Sequence, residues 1–224
     1  MKLHFLVLLI AAIPIFSTSA DEITKTSAAG GAIPDGSGSR LSTVTITAAD
    51  FTAGQVIQTA EFRLNNIQHS WIGDLVVTVQ HSLSGRTATL FNRVGKNSLT
   101  TGKGDSSNLN GNYSFRDGSP SLWSEAANGG DTYDLAVGTY AASNSDEAEV
   151  ALNNTFFGFN PSGDWTFTLR DLEGGNIGSI GSTTVSLITA IPEPGAIAGL
   201  GLLTMFGGIY LRRRFLGSRK TMAD

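Results

Sequence analysis

The stretch Gly163-Asp164-Trp165-Thr166-Phe167-Thr168-Leu169-Arg170-Asp171 constrains the fold of this chain more than any other. Large apolar side chains stand at every second position, with hydroxyl or charged side chains between them. That period puts Trp165, Phe167 and Leu169 on one face of an extended chain and Thr166, Thr168 and Arg170 on the other. Such a segment is a strand with one face in a core and one in water. Residues 42–47 alternate hydroxyl and aliphatic side chains in the same way. Residues 56–64 and 183–189 read as further strands. Residues 68–79 begin with the polar pair His69-Ser70, pass through Trp71 and Gly73-Asp74, and end in Leu75-Val76-Val77-Thr78-Val79. A β-branched run of that length is a buried strand, and Gly73-Asp74 before it signals a turn or bulge. Residues 81–86 read as a hairpin loop, from which residues 87–91 pair back. Shorter extended pieces fall at 113–117 and 138–140. Residues 122–127 fit one turn of helix, and 148–157 fit either a strand or an irregular connection. Residues 97–112 and 129–146 read as surface loops. Short strands at close spacing, without a long amphipathic helix, predict an all-β sandwich.

Charge and cysteine content narrow the function classes. The chain has 224 residues and no cysteine, which excludes disulfides and thiolate metal sites. Six of its 15 basic residues lie in the terminal segments, against one of its 19 acidic residues, leaving nine basic and 18 acidic between residues 21 and 211. A body carrying −9 argues against nucleic-acid binding. Residues 1–20 have the form of a secretory signal peptide: Lys2, an apolar stretch over 5–16, and a small-residue cleavage site ending at Ala20. Residues 21–31 are small and polar, and are expected to form a flexible lead-in. At the other end Pro192-Glu193-Pro194 precedes a Gly-rich apolar segment over 195–211, then Arg212-Arg213-Arg214 and a short tail over 218–224. The 17 uncharged residues are just long enough to span a bilayer. The arginines then hold the far end in the cytoplasm.

Two families resemble parts of this pattern. Ile33-Pro34-Asp35, His69-Ser70-Trp71-Ile72-Gly73-Asp74-Leu75, Thr89-Leu90-Phe91-Asn92-Arg93, Gly138-Thr139-Tyr140 and Gly163–Asp171, followed by Gly174, Gly175 and Gly178, resemble in order and spacing the P domain (Homo B) of subtilisin/kexin-type proprotein convertases. The resemblance covers residues 32–190 and implies an eight-stranded jelly-roll β-sandwich. It also implies that His69, Trp71, Gly73, Asp74, Gly163, Trp165 and Asp171 are framework residues. In the family the module follows a subtilisin-like catalytic domain and supports its folding and its calcium or pH response. The chain departs from the pattern at Ser82-Leu83-Ser84-Gly85, where the convertases commonly have a Ser-Pro turn. Residues 191–217 look like a PEP-CTERM sorting signal, a tail found in Gram-negative bacteria that make extracellular polysaccharide. That likeness implies an exosortase as processing partner, transient insertion in the inner membrane, and release to the cell surface or beyond. On hydropathy alone, a permanent single-span anchor is the alternative.

The sequence offers little catalytic chemistry. Beyond His4 in the leader, only His69 and His81 could act as a base, and no Gly-x-Ser-x-Gly elbow accompanies them. Asp74, Asp164 and Asp171 flank strands and are candidate oxygen ligands for Ca²⁺, without EF-hand spacing. Of the three tryptophans, Trp123 lies in a Gly/Ser-rich context and is the expected exposed platform for stacking on a sugar, whereas Trp71 and Trp165 are expected in the core. The expected function is therefore a non-catalytic structural or interaction module. The alternatives are an accessory of a separate subtilisin-type protease and a surface protein that binds matrix polysaccharide.

Overall fold

A computed structural model describes residues 20–96, 104–129 and 133–192. Eleven strands among these residues form two sheets: β1 (Asp21–Thr26), β2 (Gly31–Ile33), β3 (Arg40–Ile46), β4 (Val56–His69), β5 (Leu75–His81), β6 (Thr87–Asn92), β7 (Leu109–Phe115), β8 (Gly138–Tyr140), β9 (Gly163–Asp171), β10 (Gly178–Ile180) and β11 (Ser182–Ala190). Two short helices, α1 (Leu122–Ala127) and α2 (Leu152–Phe156), lie in the connections. The smaller sheet has the order β3-β9-β5-β6. The larger sheet is built on β4, which pairs with β11 and β10 on one side and β7 on the other; β1 flanks β11, β2 flanks β10 and β8 flanks β7. All pairings between these strands are antiparallel except β7 with β8. The all-β sandwich expected from the alternation is therefore present.

The core lies between the sheets, where the alternation of β9 puts it. Trp165, Phe167 and Leu169 are fully buried. Phe62 of β4 meets Trp165 and Phe167 across the sandwich, with ring centroids 5.6 and 5.9 Å apart, the offset and edge-on geometry aromatic pairs favour. Outside, the small sheet carries Thr43, Thr166, Thr168, Thr78 and Thr89, adjacent through the strand register and half-buried or exposed. β-branched hydroxyl side chains suit a strand face that meets water.

Three strands are additional to those expected. Asp21–Thr26, read as a flexible lead-in, is a paired strand, in register with β11 from Asp21↔Thr189 to Thr26↔Thr184. Its anchor is long-range: Ile23 is buried, and Gln55 donates to the Asp21 carboxylate (2.8 Å) while accepting from Thr189 Oγ1 (2.9 Å). β2 and β10 form a small antiparallel pair beside the end of β4. Residues 148–157 resolve as a loop and helix α2, whose first N–H groups are capped by Asp117 from a distance (2.7 and 3.0 Å). Residues 109–112, read as part of a loop, begin β7. No helix among the described residues is long and apolar enough to cross a membrane. Residues 1–19, Glu193, Pro194, the 195–211 segment and Arg212-Arg213-Arg214 lie outside the described residues.

Candidate functional site

A buried polar cluster sits at one corner of the sandwich, where β4 ends, β5 begins and β9 ends. Antiparallel register puts Leu75 opposite Asp171. Asp171 has the same parity along β9 as Trp165, Phe167 and Leu169, so its carboxylate points inward. It meets His69, the last residue of β4, with Nε2 and Oδ2 3.0 Å apart and both side chains fully buried. The Trp71 N–H donates to His69 Nδ1 (3.1 Å). Nδ1 is thus the acceptor, and the hydrogen on Nε2 is donated to Asp171. The other Asp171 oxygen accepts from the Glu173 N–H (3.2 Å).

Asp74 ends one turn of 3₁₀ helix, residues 72–74, and is also fully buried. Its Oδ2 accepts from Asn176 (3.0 Å), while Oδ1 has no hydrogen-bond partner among the described residues. Burial raises the Asp74 carboxyl above its usual value of 3.8; the Asn176 bond opposes this and the nearby Asp171 charge adds to it. Arg93 ties the corner together: its Nε donates to the Gly73 carbonyl (3.0 Å) and its Nη2 to Glu173 (2.6 Å). Gly178 closes against the histidine. A Cβ there would stand 2.4 Å from His69 Cδ2.

The opposite end of β9 holds the second histidine. His81 donates from Nε2 to the Ser162 carbonyl (2.7 Å), and its Nδ1 accepts from the Ser84 hydroxyl (3.0 Å). The ring stacks on Trp165 at 4.3 Å. Burial holds it below the usual histidine value of 6.5, against the Ser162 bond. Ser84 in turn accepts from the Arg86 N–H (3.2 Å), so this Ser–His contact closes a hairpin turn.

The structure brings some predicted site residues together and separates others. His69, Gly73, Asp74 and Asp171 meet at one corner, with Trp71 beside them. Gly163, Asp164 and Trp165 are at the other end of β9. Seven residues of strand put Asp164 about 23 Å from Asp171. Asp164 is exposed and accepts from Thr45 Oγ1 (2.7 Å). The three aspartates expected to share a calcium ion therefore do not converge, and the described residues hold no group of three potential metal ligands. Trp123, expected as an exposed platform, is only 9 % exposed, in the first turn of α1 under the Ser121 cap. Ala20 and Pro192 are both exposed, at the two ends of the described domain. Residues to which sequence reasoning assigned no site role are Arg93, present in a matched motif, Asn176, and the group Asn108, Asn110 and Asp134. The first two are matched to their partners only through the fold.

The fold defines a two-sheet β-sandwich with a buried His–Asp corner. No family model matches the chain, and neither does any curated protein. Among solved structures it is similar to a chain of the complex between the Aeromonas sobria serine protease and its chaperone (TM-score 0.43, 13 % identity, 78 % of this chain and 28 % of that one). It is also similar to the Aeromonas sobria serine protease itself (TM-score 0.41, 14 % identity, 76 % and 27 %). The chain thus spans little more than a quarter of the chains it resembles.

Proposed function

We propose that this protein is an exported, non-catalytic β-sandwich module that works by binding, as a structural or interaction domain at the cell surface or in the extracellular matrix. The observation that carries this reading is the state of its two described histidines. Both rings are buried, and all four ring nitrogens are engaged within the domain. A general base must reach the proton it abstracts, and neither ring presents a nitrogen to a substrate. The route to the surface is export through a leader cut after Ala20, followed by exosortase processing at Pro192-Glu193-Pro194. The apolar segment and Arg212-Arg213-Arg214 hold the chain in the inner membrane until then. Intact mass of protein from the native host is expected to end near residues 192–194; a full-length mass refutes the processing.

A specific observation favours a second reading, that of a detached P domain serving a separate subtilisin-type protease. His69, Gly73, Asp74 and Asp171, spread over a hundred residues of sequence, meet at one corner as a shared framework would require. The test is capture by the immobilised full chain, in mild detergent, from the host's envelope and secreted fractions, with Ca²⁺ and with EGTA. Matrix material without a protease is the expected result, and enrichment of a subtilisin-type protease moves the second reading to the front. Labelling of the chain by a fluorophosphonate serine-hydrolase probe would overturn both. Because the aspartates do not converge, millimolar Ca²⁺ is expected to leave Tm unchanged; a rise of several degrees would place an ion at the Asp74 corner.

A further inference from the structure

We infer that the hollow between the end of β4, the start of β7 and residues 133–135 is a binding site for a neutral glycan, recognised through neighbouring hydroxyl groups. The inference rests on the reading of the chain as a binding module and supplies that module's ligand class. The hollow has a volume of about 310 Å³ and is lined by Gln68, Ser70, Asn108, Asn110, Asp134 and Ile177, among others. Its one carboxylate is that of Asp134. Asn108 Nδ2 donates to one oxygen (3.0 Å) and Asn110 Nδ2 to the other (3.1 Å). The two amides hold the carboxylate flat and keep it ionised, its pKa drawn below the usual 3.8.

The backbone beneath is fixed. Asn108 N–H donates to the Tyr133 carbonyl (2.7 Å) and Leu135 N–H to the Asn108 carbonyl (2.9 Å). The Tyr113 hydroxyl accepts from Asn110 N–H (3.1 Å) and donates to the Leu135 carbonyl (2.8 Å). Gln68 lies opposite Asn110 in the β4–β7 ladder, and both line the hollow. Planar donors and acceptors therefore stand side by side, with Asn108, Asn110 and Asp134 oriented by their mutual bonds, which is what small-ligand sites use to fix a bound molecule.

Ile177 supplies the apolar wall. It is 77 % exposed. Its place is set on both sides: Asn176 is bonded to Asp74, and Gly178 abuts His69. A large aliphatic side chain in water beside an amide-rich hollow, on a backbone fixed at both neighbours, gains by covering the C–H face of a ligand.

Other ligand classes fit less well. No lysine or arginine lines the hollow, and the one histidine there, His69, is buried with its Nε2 turned to Asp171, so a phosphate or an acidic sugar would face Asp134 uncompensated. A cationic ligand would find one carboxylate whose oxygens are already shared with two amides. A peptide strand would find no open edge, because the backbones of Gln68 and Asn110 pair with each other and Gln68 also pairs with Ser179.

The test is binding of the full-length protein, in detergent, to a panel of immobilised neutral oligosaccharides built from glucose, mannose and galactose, with alginate as the acidic comparison. Dissociation constants are measured for wild type, Asp134→Ala, Asn110→Ala and Ile177→Ser, with Tm as the control for folding. At least one neutral member binds while alginate does not. Asp134→Ala weakens that binding about ten-fold or more, and Ile177→Ser roughly three-fold, with Tm held. Absence of binding to every neutral member, or binding that the variants leave intact or that EGTA abolishes, overturns the glycan site. Those failures leave the module reading standing, because only labelling by the hydrolase probe removes that.

Discussion

The two ends of β9 solve one problem in different ways. Each buries a histidine completely, and each must satisfy two ring nitrogens in a place water does not reach. At the Gly163 end His81 is held by neutral partners, a backbone carbonyl and a serine hydroxyl, and by the face of Trp165. At the Asp171 end His69 is held by a carboxylate and a backbone N–H, with a second buried carboxylate, Asp74, close by. The first arrangement costs little to bury and fastens a hairpin. The second gathers charge in a low-dielectric corner, where every partner removed leaves a group that is expensive to strand. Burial alone therefore says little about a histidine; its neighbours decide whether it is a fastener or the hub of an electrostatic network.

Breaking the charged end is expected to have the largest effect. His69→Ala strands the inward-facing Asp171 oxygen and is expected to cost about 3–5 kcal/mol, read as a fall in Tm on the order of 10 °C in a thermal melt. Gly178→Ala pushes a methyl group into the His69 ring and the Gln68 carbonyl. It is expected to cost about 1–3 kcal/mol by urea denaturation. A smaller effect is expected at the neutral end, where His81→Phe keeps the stack on Trp165 but loses two hydrogen bonds, about 1–2 kcal/mol at pH 8. The difference should narrow with acid. The folded His81 resists protonation, whereas the unfolded chain takes up a proton near 6.5. Wild type therefore loses stability as pH falls below that value, and the phenylalanine variant lacks that loss. A cost that stays constant from pH 8 to pH 5 would contradict this. The smallest effect is expected from Asp74→Asn, with the opposite sign. The folded Asp74 pKa is raised, so its favourable contribution is complete below 3.8 and disappears as pH rises through the folded value. At pH 7 the amide variant should equal wild type or exceed it by up to about 1 kcal/mol, and a large loss would show that the charge itself is needed.

The difference between the ends also bears on what could be read from the residues alone. The period of β9 was visible, and with it Trp165, Phe167, Leu169 and the core face. The same period places Asp171 inward and Asp164 outward, and the length of the strand separates them. Their shared position beside strand ends hides that difference in parity and distance. The partnership of His69 with Asp171 spans a hundred residues and depends on β4 and β9 belonging to opposing sheets, which no local pattern encodes. β1 was hidden for a similar reason. Its six residues contain one aliphatic side chain, Ile23, and its other anchors, Gln55 and Thr189, come from elsewhere in the chain. Trp123 was misplaced because its Gly/Ser-rich surroundings suggest exposure, while the Ser121 cap winds it into α1 and turns it inward. The Asn108–Asp134–Asn110 group is split between two segments that both read as loops.

The pairing of the first strand with the last has a mechanical consequence. Asp21 lies opposite Thr189, so the chain enters and leaves the domain side by side at one edge. Tension applied between those two points peels β1 from β11 rung by rung, the geometry in which a β-ladder yields at low force. Tension applied through residue 190 alone, with the load taken up elsewhere on the domain, is different. It pulls β11 lengthwise between β1 and the nine paired positions of β4, loading all those bonds together in shear. A tether at the carboxyl end therefore meets the fold along its stiffest line.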